Sequence, residues 1–204
     1  LSYAVRVDVR TDIDPRELLK VIPDYHALVV RSRTRVNADV AAAAALLQVI
    51  GRAGVGVDNI DLDACKQHSI TVVNSPVAAS IAVAELTLAM MLSLARSVPL
   101  ADAEMKRGAW SKKRLKGVEL YGKTLGLIAV GRIGTEVARR AIALGMRVIG
   151  YDPYLSVDQM RSRNVQSVSM KTLLSTAEYI SIHTPLTDET RYMIDGPAIE
   201  SMRD

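Results

Sequence analysis

The sequence predicts an α/β fold in which parallel strands alternate with helices. Short apolar runs of strand length recur along the 204 residues, and stretches with helical apolar spacing separate most of them. Glycine-rich turns follow two of these runs, at residues 54–59 and 131–134. Alternation of this kind is typical of parallel sheets flanked by helices, and we expect two such sheets along the chain.

The first region ends near Pro76 and alternates strands with short helices. Residues 3–9 alternate apolar and polar side chains, as a half-buried strand does. Asp14 followed by Pro15 marks the start of a helix, because aspartate caps a helix and proline fits its first turn. The later elements are predicted as strand, helix, strand, helix and strand at 27–30, 38–47, 49–52, 61–68 and 70–73.

The second region begins with a long, mostly apolar helix over residues 80–97. A strand–helix–strand unit follows, and after a looser segment the chain forms one more helix and strand. The strand–helix–strand unit is predicted at 125–130, 135–144 and 146–151, and the last two elements at 170–175 and 179–183. Helical spacing between short apolar runs is typical of a βαβ unit.

The turn in this βαβ unit has the composition of a dinucleotide-binding turn. It reads Gly131-Arg132-Ile133-Gly134, and Asp152 follows at the tip of the second strand. Glycine lets the backbone approach a pyrophosphate, and the helix N-terminus offers unpaired N–H groups and partial positive charge. A carboxylate about 20 residues further on accepts hydrogen bonds from ribose hydroxyls and repels a 2′-phosphate. The pattern predicts NAD rather than NADP; the alternative is an ordinary βαβ turn without a ligand.

Ala129 is a departure from the full dinucleotide pattern, which has glycine at that position. Alanine is tolerated there if its φ is negative, because only a positive φ brings the Cβ into conflict with the backbone.

Composition predicts a cytoplasmic protein without disulfides or a membrane span. Cys65 is the only cysteine, which fits a reducing compartment. The longest apolar stretch, residues 81–95, contains Glu85 and is shorter than a transmembrane helix. No spacing of ligand residues indicates a metal site, and none is predicted.

Basic residues crowd the segment around Trp110, although the net charge of the chain is only +4. We expect a solvated or subunit-contacting loop. A nucleic-acid patch is the less favoured alternative, because a single aromatic residue is interleaved and no known nucleic-acid motif accompanies it. The basic residues are Lys106, Arg107, Lys112, Lys113, Arg114 and Lys116.

Seven segments have distinctive sequences: VVRSRTRV at 29–36, IGRAGVGVDNID at 50–61, VVNSP at 72–76, AELTLAMMLSLAR at 84–96, GVELYGKTLGLIAVGRIGTEVARRA at 117–141, GMRVIGYDPY at 145–154 and ISIHTPLTDETR at 180–191. Together they resemble the D-isomer-specific 2-hydroxyacid dehydrogenase family, most closely its phosphoglycerate dehydrogenase branch. The similarity covers nearly the whole chain.

The resemblance implies two Rossmann- or flavodoxin-like domains. Residues 1–76 correspond to a substrate-binding domain that starts inside the first strand–helix unit of the family. Residues 77–204 correspond to the long connecting helix and an NAD-binding domain that stops before the strand expected after Met202. The catalytic arginine, glutamate and histidine of the family fall beyond Asp204, so this stretch alone is expected to be inactive. The resemblance gives His183 no catalytic role.

The resemblance also implies which residues bind the cofactor. Arg132 and Ile133, between Gly131 and Gly134, are expected to contact the pyrophosphate through their N–H groups. Asp152 is expected to hold the adenosine ribose. Thr184 corresponds to a residue that lines the cofactor groove, and Val55 to one that faces the nicotinamide.

Substrate binding is expected at a second glycine turn and two arginines. The backbone of Gly54-Val55-Gly56 resembles the turn that binds the substrate carboxylate, with N–H groups as donors. Arg31 and Arg52 match positions that bind the charged ends of phosphoglycerate. A guanidinium group suits this role because it binds phosphate or carboxylate through two parallel hydrogen bonds. Ala79 replaces the family's asparagine after the NSP turn, so a hydrogen bond from that position is not expected.

The function implied by the resemblance is NAD-dependent oxidation of 3-phospho-D-glycerate to 3-phosphohydroxypyruvate, the first step of L-serine biosynthesis. Two alternatives stay open beside the nucleic-acid module: a glyoxylate or hydroxypyruvate reductase of the same family, and a non-catalytic NAD-sensing protein like the family's corepressors. A homodimer or homotetramer is expected, with subunit contacts through the long helix and the loop around Trp110.

Overall fold

A computed structural model describes residues 5–203 of the chain. The chain divides into two compact units, the first ending at Ala78 and the second beginning at Ala79. Each unit contains a parallel sheet with helices packed on it. The α/β class predicted from the sequence is therefore confirmed in both units.

The sheet of the first unit has three parallel strands in the order β1-β2-β3. Val30, Arg52 and Asn74 are the last residues of the three strands and lie side by side in register. The elements of this unit are α1 (Pro15–Val21), a 3-10 turn (Ile22–Asp24), β1 (Ala27–Val30), α2 (Ala38–Ala43), β2 (Val49–Arg52), α3 (Leu62–Gln67) and β3 (Thr71–Asn74).

Short polar side chains set where these helices begin. Asp14, Asn37 and Asp61 each accept a hydrogen bond from a backbone N–H in the first turn of α1, α2 and α3. Such a cap typically contributes about 1 kcal/mol to stability. The core between the helices and the sheet includes Ile22, Val30, Val36, Val40, Ile50, Ile60 and Cys65, all buried.

The start of the first unit differs from the sequence prediction. Residues 5–10 pair with no strand, and Val5, Val7 and Val9 are 74–80% exposed. The strand predicted over residues 3–9 is therefore wrong for its described part, while Tyr3 lies outside the described residues. Alternation alone indicated a strand here, but a strand also needs a partner for its backbone groups. Helix α2 is likewise shorter than predicted, because it ends at Ala43.

The sheet of the second unit has four parallel strands in the order β6-β5-β4-β7. The chain thus winds outward from β4 in one direction through β5 and β6, then returns to place β7 on the other side. The elements of this unit are α4 (Ser80–Ala95), α5 (Val98–Lys106), β4 (Thr124–Ile128), α6 (Arg132–Ala143), β5 (Arg147–Tyr151), α7 (Val157–Ser162), β6 (Gln166–Ser167), α8 (Met170–Thr176), β7 (Tyr179–Ile182) and α9 (Gly196–Glu200).

Strand β4 is the centre of the second core, since all five of its residues are buried. On one side of this core α4 packs against α6, and Arg140 of α6 reaches Glu85 of α4 at 3.8 Å. Burying a large apolar side chain contributes about 1.5–3 kcal/mol. The buried residues of the two helices include Ala84, Leu88, Met91 and Ala95 of α4 and Val137, Ala138 and Ala141 of α6.

Several elements of this unit differ from those predicted. The long helix ends at Ala95, because Ser97 adopts a left-handed conformation with φ of 51°, and a separate helix α5 follows. Helix α7 was not predicted, although Ser156 and Gln159 form a capping box at its start. Helix α6 begins at Arg132, three residues earlier than predicted, so that Gly134 lies in its first turn.

No single helix within residues 5–203 has the length and apolar character needed to cross a membrane. Helices α4 and α5 reach that length and composition only when taken together, and the chain bends by 66° between them.

Glu178 fixes the end of the second sheet that lies opposite the glycine turn. Its carboxylate accepts hydrogen bonds from Lys123 Nζ at 2.9 Å and from the N–H of Thr124 at 3.0 Å. These bonds, that of Lys123 foremost, lower the pKa of Glu178. Because Thr124 begins β4 and Glu178 precedes β7, the carboxylate ties the first residues of two neighbouring strands together.

Candidate functional site

The glycine turn predicted to bind a dinucleotide lies where the strand order of the second sheet reverses. It connects β4 to α6, and β4 has β5 on one side and β7 on the other. In open parallel sheets ligands bind outside the carboxyl ends of the strands at such a reversal, because the loops there diverge and leave a crevice. The loops after β4, β5 and β7 therefore form the walls of a candidate cofactor crevice.

Helix α6 starts without a side-chain cap. Its N-cap is Gly131, which has no side chain to accept a hydrogen bond from the first turn. Six other helices of the described chain are capped in this way, by Asp14, Asn37, Asp61, Ser156, Ser169 and Asp195. The N–H groups at the start of α6, which include those of Arg132 and Ile133, therefore remain available to an anionic ligand.

The two glycines of the turn leave room for different neighbours. A Cβ added to Gly131 would meet no atom within 4 Å, so the space above this residue is open. A Cβ added to Gly134 would lie 2.5 Å from the carbonyl oxygen of Ala129 and would push the helix away from the strand. These are the conditions that a pyrophosphate needs: free space at the second glycine and close helix–strand contact at the third.

Ala129 occupies the left-handed region of backbone space, with φ of 69°. The condition under which alanine would be tolerated without strain, a negative φ, is therefore not met. The turn geometry imposes this conformation, because Ala129 donates its N–H to Tyr151 O at 2.9 Å while its own carbonyl contacts Gly134. A left-handed alanine costs about 1–2 kcal/mol relative to the right-handed form, so the turn is strained where the family pattern has glycine.

Asp152 lies directly after β5 and faces the glycine turn. Its Oδ2 accepts the N–H of Val130 at 2.9 Å, and its Oδ1 accepts the N–H of Tyr154 at 3.0 Å. Each carboxylate oxygen has a second lone pair, so the side chain keeps acceptor capacity for ribose hydroxyls. The structure thus brings Asp152 together with the glycine turn, as the spacing in the sequence predicts for a dinucleotide site.

A side-chain hydrogen bond joins the loops that follow β5 and β7. The hydroxyl of Tyr154 donates to Glu189 Oε2 at 2.9 Å, and this hydrogen bond, together with the negative charge of Glu189, raises the pKa of Tyr154. No local pattern indicates this contact, because the two residues are 35 positions apart. It connects two walls of the candidate crevice.

The residues after β7 form the remaining wall. Thr184 is half-buried, and its hydroxyl points to the sulfur of Met193 at 3.8 Å. His183 lies within 3.0 Å of Ser181 Oγ through its Nε2, and burial lowers its pKa. Burial thus favours the neutral form of the His183 ring, which lies near Gly134. Its contacts are those of a residue at the end of a strand.

In the first unit, the predicted substrate residues gather at the carboxyl end of the three-stranded sheet. Arg31 follows β1 directly, and Arg52 is the last residue of β2, paired in register with Val30 and Asn74. Arg31 is exposed and Arg52 is half-buried. Within residues 5–203 neither guanidinium forms an ion pair, and the buried Nε of Arg52 has no hydrogen-bond partner.

The turn at residues 54–56 is held against this edge by backbone and amide hydrogen bonds. Gly54 O accepts the N–H of Ser75 at 3.0 Å, and Val55 O accepts Asn74 Nδ2 at 2.6 Å. The guanidinium of Arg52 occupies the place that a Cβ on Gly54 would take, so only glycine fits there. Gly56 lies beside the carboxylate of Asp58. Arg52 and the glycine turn are therefore neighbours in space.

Two asparagines that sequence reasoning missed position these loops. Asn74 holds the carbonyl of Val55, and Asn59 holds carbonyls in the loop after β1. Asn59 stands within the segment GVGVDNID, which attracted attention only for its glycines. An asparagine next to a turn that must be fixed was the available signal, because its side-chain amide readily bonds to backbone groups.

The left-handed conformation of Ala129 leads to a prediction about stability. We expect Ala129→Gly to raise the free energy of unfolding by up to about 1 kcal/mol, because relief of the Cβ conflict exceeds the greater unfolded-state entropy of glycine. Urea denaturation would measure the change. As a control, Ala103→Gly at an exposed interior position of α5 should lower the free energy of unfolding by about 1 kcal/mol. A loss of stability in both variants would contradict the strain assigned to Ala129.

Comparison with known proteins identifies the family. Residues 88–204 match the family described as D-isomer specific 2-hydroxyacid dehydrogenase, NAD binding domain. A D-3-phosphoglycerate dehydrogenase of Methanocaldococcus jannaschii is 51% identical over 204 residues, which are 100% of this chain and 39% of that protein. A hydroxypyruvate reductase of Thermotoga maritima is 46% identical over 192 residues, 94% of this chain and 62% of that protein.

A solved structure shows the same architecture. D-lactate dehydrogenase from Aquifex aeolicus, complexed with NAD and lactic acid, superimposes with a TM-score of 0.83 at 32% identity. The match covers 91% of this chain and 56% of that one, so the chain spans less than two thirds of each of these relatives. The predicted family, fold and cofactor NAD are confirmed. With its uncapped α6, its glycine turn and Asp152 beside it, the chain belongs to the D-isomer-specific 2-hydroxyacid dehydrogenase family.

Proposed function

We propose that the protein oxidises 3-phospho-D-glycerate to 3-phosphohydroxypyruvate with NAD, the first step of L-serine biosynthesis. The observation that carries this proposal is the pair of arginines, Arg31 and Arg52, at one sheet edge without carboxylate partners among the described residues. The relative from Methanocaldococcus jannaschii, named for this activity, adds support through 51% identity along the whole chain.

The two charged groups of 3-phosphoglycerate suit the carboxyl end of the first sheet, where Arg31 and Arg52 lie. 3-Phosphoglycerate has a planar carboxylate at one end and a tetrahedral phosphate at the other. A guanidinium binds either of these oxyanions with two hydrogen bonds. A buried guanidinium nitrogen without a partner is costly, and an anion would offset that cost. Arg52 has such a nitrogen, and the adjacent turn offers the N–H groups of Val55 and Gly56 for the carboxylate, since that of Gly54 already donates to Arg52 O at 2.9 Å.

The residues expected to bind the cofactor indicate NAD as the second reactant. When bound here, NAD would supply the acceptor for the hydride that leaves C2 of the substrate, and the proton of the C2 hydroxyl would pass to a base. In this chain the first turn of α6 would bind the pyrophosphate, and Asp152 would orient the adenosine ribose. Orientation matters because hydride transfer needs the reacting carbons at near-contact distance.

A reductase acting on hydroxypyruvate is the second candidate. The hydroxypyruvate reductase of Thermotoga maritima is 46% identical, close to the values for several phosphoglycerate dehydrogenases. The two substrates differ by a phosphate group, so the contribution of the arginines to phosphate binding distinguishes them. A non-catalytic NAD-sensing protein would bind NADH in its full-length form without turning over either substrate.

Asp152 should determine the preference for NAD. We expect Asp152→Ala to weaken NADH binding about 10- to 100-fold, as for the loss of charge-assisted hydrogen bonds, while NADPH binding stays the same or tightens. Quenching or enhancement of NADH and NADPH fluorescence would give both dissociation constants. Asp158→Ala, which removes an exposed carboxylate on α7, is the matched control and should change neither. Unchanged affinity for both cofactors in Asp152→Ala would refute the ribose assignment.

Arg31 should discriminate between the two substrates. In the full-length enzyme, Arg31→Ala is expected to lower kcat/KM for 3-phosphoglycerate oxidation about 10- to 100-fold, since one bidentate ionic contact is lost. Reduction of hydroxypyruvate should change less than threefold. Arg35→Ala removes another exposed arginine of the same loop and should leave both reactions intact. Equal losses for both substrates would favour the hydroxypyruvate reductase.

We also propose that the protein is a homodimer or a dimer of dimers, assembled through the outer face of α4. Leu86, Met90 and Leu94 stand four residues apart on one face of this helix and are 60–76% exposed. Trp110, in the loop after α5, is 80% exposed. Contiguous apolar surface of this kind usually marks a protein interface.

The α4 surface predicts a change of oligomeric state on substitution. Met90→Glu places a charge in the middle of the apolar stripe and should raise the dimer dissociation constant at least about tenfold, since a buried unpaired charge is costly. Light scattering after gel filtration would measure the molecular mass, and for Met90→Glu we expect the mass of a single subunit. Val157→Glu changes an equally exposed apolar residue on α7 and should keep the wild-type mass. A wild-type protein that is already monomeric would contradict the proposal.

A further inference from the structure

Asn59 links the two loops that contain the candidate substrate arginines. It lies between the glycine turn after β2 and helix α3, on the same connection as Arg52. Its side-chain Nδ2 donates to Arg31 O at 3.0 Å and to Thr34 O at 2.7 Å, both in the loop between β1 and α2. Both hydrogens of one amide group are thus used on carbonyls of the loop that holds Arg31.

The backbone around Asn59 fixes the far end of the same loop. Val36 donates its N–H to Asn59 O at 2.8 Å, and Asp61 donates its N–H to Val36 O at 2.8 Å. Val36 and Ile60 form an isolated parallel bridge, and both side chains are buried. The bridge anchors the loop at Val36, and the amide of Asn59 holds it nearer to Arg31.

The hydrogen-bonding pattern requires an amide at this position. The two carbonyls can only accept, so the side chain must donate twice, and an aspartate would set oxygen against oxygen. The Oδ1 of Asn59 is buried and has no partner among the described residues, which fixes the amide orientation through its nitrogen alone.

Arg31 depends on hydrogen bonds to its main chain more than Arg33 does. Arg33, two residues on, is tied by its side chain to Asp12 at 2.5 Å and to the carbonyl of Thr11. Arg31 has no ion pair in the described part of the chain. Arg31 is therefore held through its main chain rather than its side chain, and the bond from Asn59 to Arg31 O provides that hold.

We propose that Asn59 is a positioning residue that keeps Arg31 in place beside Arg52 so that the two guanidinium groups bind one phosphorylated 2-hydroxy acid. The inference rests on the proposed function for the identity of the anion. Asn59 itself touches neither substrate nor cofactor in this arrangement; it acts through the main chain of Arg31. The coupling between Asn59 and Arg31 is therefore the quantity that tests its role.

The test is a double-mutant cycle in the full-length enzyme. Asn59→Ala should raise KM for 3-phosphoglycerate about tenfold, with kcat within about twofold and the NADH dissociation constant unchanged, because only ground-state substrate contacts are disturbed. In an Arg31→Ala background the same substitution should raise KM less than about twofold, because the contact it supports is already gone. An equal increase in both backgrounds would overturn the inference.

Asn37→Ala is the matched control. It removes the N-cap of α2 just after the same loop and should lower the melting temperature, while KM for 3-phosphoglycerate stays at the wild-type value. If Asn59→Ala fails to fold, Asn59→Ser takes its place: its hydroxyl can serve one of the two carbonyls, and KM should rise by an intermediate factor. Wild-type KM in Asn59→Ser would overturn the inference in that case.

Binding of inorganic phosphate separates the inference from the proposed function. The dissociation constant of phosphate, measured by thermal shift in the same four proteins, should show the same non-additive pattern whether or not 3-phosphoglycerate is a substrate. A wild type that binds phosphate but does not oxidise 3-phosphoglycerate would refute the proposed function alone. Additive effects on phosphate binding, or no phosphate binding by the wild type, would refute the positioning role of Asn59.

Discussion

The parallel hydrogen bonding of β4 to β5 and β7 is the constraint on which the cofactor region depends. The ladder runs past the ends of the strands: Ala129 donates to Tyr151 O, and His183 donates to Ile128 O, both at 2.9 Å. These two bonds bring the glycine turn, Asp152 and the loop after β7 to one edge of the sheet. Because β4 is buried along its whole length, a shift in register would expose apolar side chains and displace all three loops.

The first unit also brings its loops to one edge of a parallel sheet, but its strands are short. Its three strands end in register at Val30, Arg52 and Asn74, but each strand is only four residues long. The backbone ladder extends past these strands too, since Ala53 donates its N–H to Val30 O at 2.9 Å, and asparagine amides hold the loops beyond it. Side-chain amides can reach carbonyls that no strand reaches, so Asn59 and Asn74 fix backbone that lies outside the sheet.

Two features that lower the stability of the protein occur together at the candidate cofactor turn. Ala129 is left-handed, and α6 lacks the side-chain cap that six other helices have. Both features reduce stability when no ligand is bound, and an anion at the helix N-terminus would compensate for the missing cap. Helices α4 and α5 also start without a side-chain cap, so the turn before α6 is distinguished as a binding site by its glycines and by Asp152 beside it.

The sequence by itself determined the class of fold, the glycine turn, the cap of α1 at Asp14 and the acidic residue after β5, because these are local patterns. Spacing and turn chemistry act over a few residues, and short apolar runs flanked by helices leave few arrangements open. The segments resembling the 2-hydroxyacid dehydrogenases also pointed to Arg31 and Arg52 before any contact was known.

Only the tertiary structure decided the features that join distant parts of the chain. The N-terminal segment alternates like a strand yet has no partner, and the break after α4 follows from one left-handed residue, Ser97. The sign of φ at Ala129, the bond between Tyr154 and Glu189, and the reach of Asn59 to a carbonyl 28 residues earlier all follow from packing and strand pairing. Contacts of this range depend on the geometry of the assembled sheet, which no local pattern encodes.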